Sequence, residues 1–373
     1  MLYRTGEYKL EQNSKWSYHT FFPLTLIDNK NIEIDDELYV YLIKTHRLLG
    51  ELYGMIKYMP NIDLWYDLLI KYEATLSCQL SGKNFSFSDL WNISSRTFPY
   101  INKVITFVEI LKESKGLVDN NHISLDFIKE IHKKLVHNES PKQAGIFRKE
   151  QLFINSKIST NYFPYFNPPN PDDMRTALCD FEKYLDYDCP YDTLIQAALI
   201  YYQFITIQPF ISGNHRMGKL IINMFLVQKK LLPLPILAFS YFFNKNDLEY
   251  RDIILSTRNN GGYLDWIKFF IKAITVDTEH TINLFNSLHN LYTEDYEKIQ
   301  AMDKRIKLEL EIYKYLFKIP ILETRYITND FNISYNTAAK SIQNLNNIGI
   351  LCQMKHQERY RKFIYKRLLA IFD

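Results

Sequence analysis

The chain has 373 residues, 47% hydrophobic and 23% charged, a balance that excludes a disordered or fibrous protein and, at this length, predicts two or three domains. With 28 Tyr and 25 Phe against 11 Gly, a mainly α, aromatic-packed protein is expected, and a net charge of +3 does not by itself imply nucleic acid. The four cysteines, Cys78, Cys179, Cys189 and Cys352, lie far apart without metal-type spacing and read as reduced thiols.

The chain opens without an apolar signal core at Met1 to Glu7, and an extended arm leads into helices over residues 1–95. Residues 35–58 read as the first helix, with Leu38, Leu42, Ile43, His46, Leu49 and Leu52 as its buried stripe. Met59-Pro60-Asn61 stops it, and a second helix follows over 64–80. Residues 96–290 form a strongly helical central part. Within it, 144–154 alternates enough to read as a strand, the start of a hairpin near 147–156. The apolar run 194–206, holding Tyr201, Tyr202 and Phe204, reads as a helix leading to a tight Ser212-Gly213-Asn214 turn and a second helix over 216–226. That turn leaves free N–H groups at the positive end of a helix. Gly213 lets a ligand approach the backbone, and Arg216 and Lys219 supply charge one turn apart, an arrangement suited to phosphate. The longest apolar run, 231–243, is short and carries Pro233 and Pro235, so no membrane span is expected and the protein is expected to be soluble and cytoplasmic.

The last part, 291–373, differs in character. An amphipathic stretch over 303–317 precedes a short helix and turn over 322–332, and Ser334 is a good N-cap for a helix over 335–345. Gly349 stops that helix, and Ile350-Leu351-Cys352 with Phe363-Ile364-Tyr365 read as a hairpin, giving a winged helix-turn-helix. Lys355, His356, Arg359, Arg361 and Lys362 make its wing basic, while Tyr335, Asn336, Thr337 and Lys340 are placed to face a DNA groove; docking on a protein partner is the alternative.

The run Ile207-Gln208-Pro209-Phe210-Ile211-Ser212-Gly213-Asn214-His215-Arg216 resembles the signature loop of the Fic (Fido) family, whose Pro-Phe-x-x-Gly-Asn-x-Arg skeleton it retains. Similarities continue in family order: Leu49 to Gly54, Pro60-Asn61, Glu73-Ala74, Gly145 to Ile154, Asn167 to Pro171, Pro235 to Leu237 with Ser240, Tyr250 with Arg258, and Trp266 to Phe270. The resemblance implies a Fic/Fido helical fold with a β-hairpin flap, in three parts: an N-terminal helical region 1–95, a core 96–290 and the winged helix 291–373. It implies AMP transfer from ATP to a hydroxyl of a target protein that pairs with the flap through Phe147, Gln151 and Ile154. It places nucleotide phosphates at Gly213, Asn214 and Arg216, with His215 and Lys219 as lesser contacts.

Three positions depart from the family. Gln208 stands where the family has its catalytic histidine, and a carboxamide takes up no proton near neutral pH, a loss that typically costs ~10²–10⁴-fold. Ser212 replaces the acid that holds Mg²⁺, so a metal site there is in doubt. Ser81, in Ser77-Cys78-Gln79-Leu80-Ser81-Gly82, replaces a glutamate that in relatives blocks the signature arginine, so that brake is expected to be weak or absent. His215 is directed to phosphate rather than to a target hydroxyl, and the other histidines read as structural or surface residues. The expectation is a catalytically degenerate Fic-fold protein with a retained nucleotide site and a regulatory or binding role. The alternatives are an active transferase with a non-standard loop and a DNA-binding winged-helix regulator, with a homodimer left open.

Overall fold

The computed structural model of the chain describes residues 5–12, 17–28, 32, 34–79, 85–92, 98–117, 122–154, 166–302, 306–354 and 361–373. The protein is mainly helical over these residues. Two strands, β1 (Gly6–Gln12) and β2 (Ser17–Pro23), come first, followed by helices α1 (Asp36–Tyr58), α2 (Ile62–Gln79), α3 (Phe98–Leu117) and α4 (Leu125–Val136). Next come α5 (Pro171–Leu185), α6 (Thr193–Ile207), α7 (Asn214–Gln228), α8 (Phe239–Lys245), α9 (Asp247–Asn260) and α10 (Leu264–Gln300). The chain ends with α11 (Lys307–Leu316), β3 (Ile321–Glu323), α12 (Thr324–Phe331), α13 (Tyr335–Asn347), β4 (Cys352–Gln353), β5 (Lys362–Ile364) and α14 (Lys366–Leu369). No described helix is long and apolar enough to cross a membrane. The chain divides into two compact units, Met1–Tyr58 with Ile105–Thr278, and Met59–Val104 with Glu279–Asp373.

The first unit is organised around α6. Its residues from Leu194 to Ile207 are all buried, as expected of a helix apolar on every side, and each such Leu, Ile or Phe contributes about 1.5–3 kcal/mol relative to exposure. α6 packs on α5 and α7. Gly218 permits the close approach of α7, because a Cβ there would stand 3.2 Å from Tyr201 Cε2. Trp266, fully buried, donates its indole N–H to Ala198 O at 2.8 Å and stacks against Tyr201. The N-terminal arm is a hairpin: β1 and β2 pair antiparallel from Gly6↔Pro23 to Gln12↔Ser17. It is anchored by Phe21 N–H donating to Asn167 O at 3.0 Å and by a Lys9–Asp173 ion pair at 3.1 Å.

Two expectations about this unit need correction. Ile43 is 61% exposed and His46 only half-buried, so neither belongs to the α1 stripe. The buried face runs through Leu38, Leu42, Thr45, Leu49, Leu52 and Ile56 at helical spacing; Ile43 lies about 100° round from Leu42, and His46 instead meets Asp192 at 2.8 Å. Residues 144–154 are not a strand: a single antiparallel bridge, Ile154↔Phe166, is formed among the described residues. Arg148 explains this, because its side chain turns inward and its N–H bonds Pro209 O at 2.9 Å instead of a ladder partner. Ser156, at the far end of the expected hairpin, lies outside the described residues.

In the second unit Trp65 is enclosed edge-on by Tyr292 and Phe317. Fully buried Asp295 accepts from Tyr365 Oη at 2.8 Å and pairs with Arg367 and Lys298, satisfying a charge that would otherwise be expensive to bury. The small sheet has the order β3-β5-β4, with Ile364 opposite both Ile321 and Cys352. Ser334 Oγ accepts Thr337 N–H at 3.2 Å and caps α13 as expected, and Gly349 leaves that helix at φ 77. Ala338, Ser341, Ile342 and Leu345 are buried, while Tyr335, Asn336, Thr337 and Lys340 are exposed, as is Arg361 beside β5. Ser81, Lys355, His356 and Arg359 lie outside the described residues.

Candidate functional site

α6 ends at Gln208, whose backbone is left-handed (φ 47, ψ 64) and whose N–H still reaches Phe204 O at 3.0 Å. The carboxamide turns back and donates from Nε2 to Ile205 O at 2.9 Å, so the Gln208 side chain is buried against its own helix. Beyond it the chain is closed by Asn214: Oδ1 accepts Phe210 N–H at 3.0 Å and Nδ2 donates to Phe210 O at 2.8 Å. Asn214 thus shapes the turn through both the oxygen and the nitrogen of its amide. Gly213, at φ 80, has Val136 Cγ1 3.0 Å and His132 Nε2 3.4 Å from where a Cβ would stand, so glycine is required for both conformation and space. α7 begins here. Its first helical bond is Met217 N–H to Gly213 O, which leaves the N–H groups of Asn214, His215 and Arg216 without an intrahelical acceptor.

Two groups outside the loop hold it in shape. His132, on α4, stacks on Phe210 with ring centroids 3.5 Å apart and 7° between planes. Its Nδ1 accepts Gly145 N–H at 3.1 Å and its Nε2–H donates to Ser212 O at 2.9 Å, which requires the neutral ring. Burial pushes its pKa down to about 4, in keeping with that tautomer. Arg148 is 2% exposed and faces the C-terminal end of α6, where orphan carbonyls carry the negative pole of the helix. It donates Nε to Gln208 O (2.8 Å), Nη1 to Glu150 O (3.1 Å) and Nη2 to Pro169 O (2.5 Å) and Ile207 O (3.4 Å). Burial lowers its pKa to about 10, so it stays charged at neutral pH.

The three basic side chains of the loop behave differently. Arg216 Nη1 donates to Glu139 Oε1 at 2.6 Å, and both side chains are 19% exposed. Lys219 is buried and turned inward, donating to the Ser240 hydroxyl, next to Asn223, which accepts Leu237 N–H at 3.1 Å. His215 is exposed, with Nδ1 3.4 Å from Tyr250 Oη. Crowding by protein, then the charges of Lys219, Arg251 and Arg258, pushes its pKa down to about 4. Arg258, on α9, lies over the Phe166 ring at 3.4 Å.

Gly213, His215 and Arg216 therefore meet at the start of α7, whereas Gln208, Asn214 and Lys219 serve the fold. In the segment expected to receive a target, Phe147 packs on Phe210 at 5.2 Å between centroids. Gln151 Nε2 donates to Leu152 O (2.8 Å) and Pro168 O (2.9 Å). Among the described residues no three His, Cys, Asp or Glu side chains gather as metal ligands. The sequence reading missed His132, Glu139 and Arg148 as parts of this site. Only the i, i+4 spacing of His132 and Val136, both of which face the place a Gly213 Cβ would take, marks a shared face.

Residues 122–226 match the Fic/DOC family model. Among curated relatives, the "Protein adenylyltransferase Fic" of Nematostella vectensis is 27% identical over 206 residues, 54% of this chain and 43% of that protein. The protein of the same name from Drosophila willistoni is 27% identical over 174 residues, 46% of this chain and 30% of that one. The chain thus spans less than half the length of these relatives. A Fic family protein from Desulfovibrio desulfuricans has a similar fold, with a TM-score of 0.56 at 13% identity, covering 89% of this chain and 97% of that one. A Fic domain containing signaling protein from Bacteroides thetaiotaomicron gives 0.52 at 16% identity, covering 65% and 95%.

Proposed function

We propose that residues 122–226, which match the Fic/DOC family model, retain an anion seat for nucleotide phosphates while the AMP-transfer chemistry is disabled. The curated relatives are adenylyltransferases by name, which makes ATP the nucleotide to consider. The start of α7 supports the seat, where the free N–H groups of Asn214, His215 and Arg216 combine with the Arg216 guanidinium.

The observation that carries the loss of chemistry is the Gln208 carboxamide bonded back onto Ile205 O, a group that takes up no proton. The neighbouring imidazoles do not replace it. His132 has both nitrogens engaged, and His215, with its pKa pushed down to about 4, is a poor proton acceptor. Nor do the residues present suit Mg²⁺: Ser212 offers a neutral hydroxyl, and its carbonyl is bonded to His132. A target segment would meet residues 144–154, and the parts 1–95, 96–290 and 291–373 are the proposed functional divisions. Calorimetry with ATP tests the seat directly. The parent should bind and Arg216→Ala should not; equal binding by both, or none by the parent, rejects it.

A second reading concerns α12, α13 and the β3-β5-β4 sheet, which we interpret as a winged helix. The exposed face of α13 (Tyr335, Asn336, Thr337, Lys340) carries no carboxylate, and Arg361 is exposed nearby in sequence to β5, a surface suited to DNA. A gel shift that weakens steeply with salt supports this reading, and no shift at low salt removes it.

A further inference from the structure

The carboxylate on Arg216 comes from a segment that the family resemblance does not mark as inhibitory. α4 ends at Val136, and the chain then folds tightly, with Glu139 N–H and Ser140 N–H both donating to Val136 O at 2.9 and 2.8 Å. One turn back on α4, His132 is pinned to Ser212 O, so the end of α4 stands at a fixed height beside the loop. The turn therefore delivers Glu139 to the first turn of α7, with Oε1 at 2.6 Å from Arg216 Nη1. Both side chains are only 19% exposed, so this pair is not a loose surface contact.

An anion at the start of α7 is favoured by the helix pole and by the guanidinium, and a carboxylate satisfies those demands as a phosphate oxygen does. We propose that Glu139 is a built-in competitor for the anion seat: a phosphate group gains Arg216 only when Glu139 turns away. This rests on the seat assigned above and adds its regulation. A guanidinium has five N–H donors, so the rival arrangement has carboxylate and phosphate held side by side on Arg216. The two arrangements give opposite signs. A competitor weakens phosphate binding, and its removal strengthens it; a side-by-side carboxylate that orients the guanidinium supports binding, and its removal weakens it.

Calorimetry with two probes, inorganic pyrophosphate and ATP, at one ionic strength separates them. Glu139→Gln keeps the shape and removes the charge. It should bind both probes about tenfold or more tightly than the parent, a difference of about 1.4 kcal/mol. The gain should vanish in Glu139→Gln/Arg216→Ala, and Glu139→Asp, which shortens the reach to Arg216, should fall between parent and Glu139→Gln. Unchanged or weaker binding by Glu139→Gln, with parental binding still lost in Arg216→Ala, overturns the competitor and leaves the seat standing. Binding of neither probe by parent or Glu139→Gln removes the seat and the competitor together.

Discussion

Replacing Arg148 by Met should release the signature loop while leaving the helices around it in place. The guanidinium bonds the carbonyls of Gln208 at 2.8 Å and Pro169 at 2.5 Å in a site that is 2% exposed, with longer bonds to Glu150 and Ile207. Methionine matches the stem and donates nothing. Each buried carbonyl left without a partner costs about 1–3 kcal/mol, so the two short bonds alone correspond to roughly 2–6 kcal/mol. Against this stands relief from burying a charge: a pKa lowered to about 10 by burial marks a desolvation cost on the order of a few kcal/mol. The net local loss should be about 2–3 kcal/mol, because the loop can relax only part-way around Pro209. A chain of two compact units does not melt as one step, so amide hydrogen exchange is the right assay. The Arg148 N–H, bonded to Pro209 O, and the Gln208 N–H, bonded to Phe204 O, should exchange ~30–140-fold faster, with amides inside α5 unchanged. Arg148→Lys, which keeps the charge and one donor site, should lose less. Parental protection at Gln208 in Arg148→Met would show that the guanidinium does not hold the loop.

Gly213→Ala combines a left-handed backbone, costing about 1–2 kcal/mol for an L residue, with a Cβ 3.0 Å from Val136 Cγ1; nucleotide affinity should fall with little change in helix content, and unaltered affinity would mean that the turn has other room. His132, whose pKa is pushed to about 4 against an ordinary 6.5, binds its proton in the unfolded chain before the folded one, so its contribution is complete above about pH 6.5 and is lost as pH falls toward 4. An NMR titration should show a neutral His132 ring at pH 5.5, and the loss of amide protection at Gly145 between pH 7 and 5 should be smaller in His132→Gln; a ring protonated at pH 6 contradicts the two-bond arrangement.

The helix-turn-helix around Gly213 was legible because both flanking runs repeat apolar residues at helical spacing and a Gly-Asn turn separates them. Ser334 was legible as a cap for the same kind of local reason. What the turn's polar side chains do was not, because their partners are far along the chain: Arg148 lies 60 residues before Gln208, Glu139 lies 77 before Arg216, and Ser240 lies 21 beyond Lys219. Local spacing therefore put Lys219 at the phosphates as a lesser contact than Arg216, whereas tertiary packing turns Lys219 inward to a hydroxyl. The alternation over 144–154 misled for a related reason. Arg148 sits at an inward position of that pattern, and a buried guanidinium seeks carbonyls wherever they are, which overrides a strand ladder. The β1–β2 hairpin was hidden because charged Lys9 and Glu11 alternate with Tyr8 and Leu10, and the latter two are exposed rather than core-facing.

The central claim is a retained seat without transfer chemistry, and the most direct measurement is incorporation of label from ATP carrying a radioactive α-phosphate, into the protein itself and into lysate proteins. The parent should incorporate little or none. Gln208→His with Ser212→Asp restores a group that takes up a proton and an acidic ligand on an otherwise intact loop; it should raise incorporation by about 10²-fold or more, and either change alone should do less. Robust magnesium-dependent labelling by the parent would contradict the account.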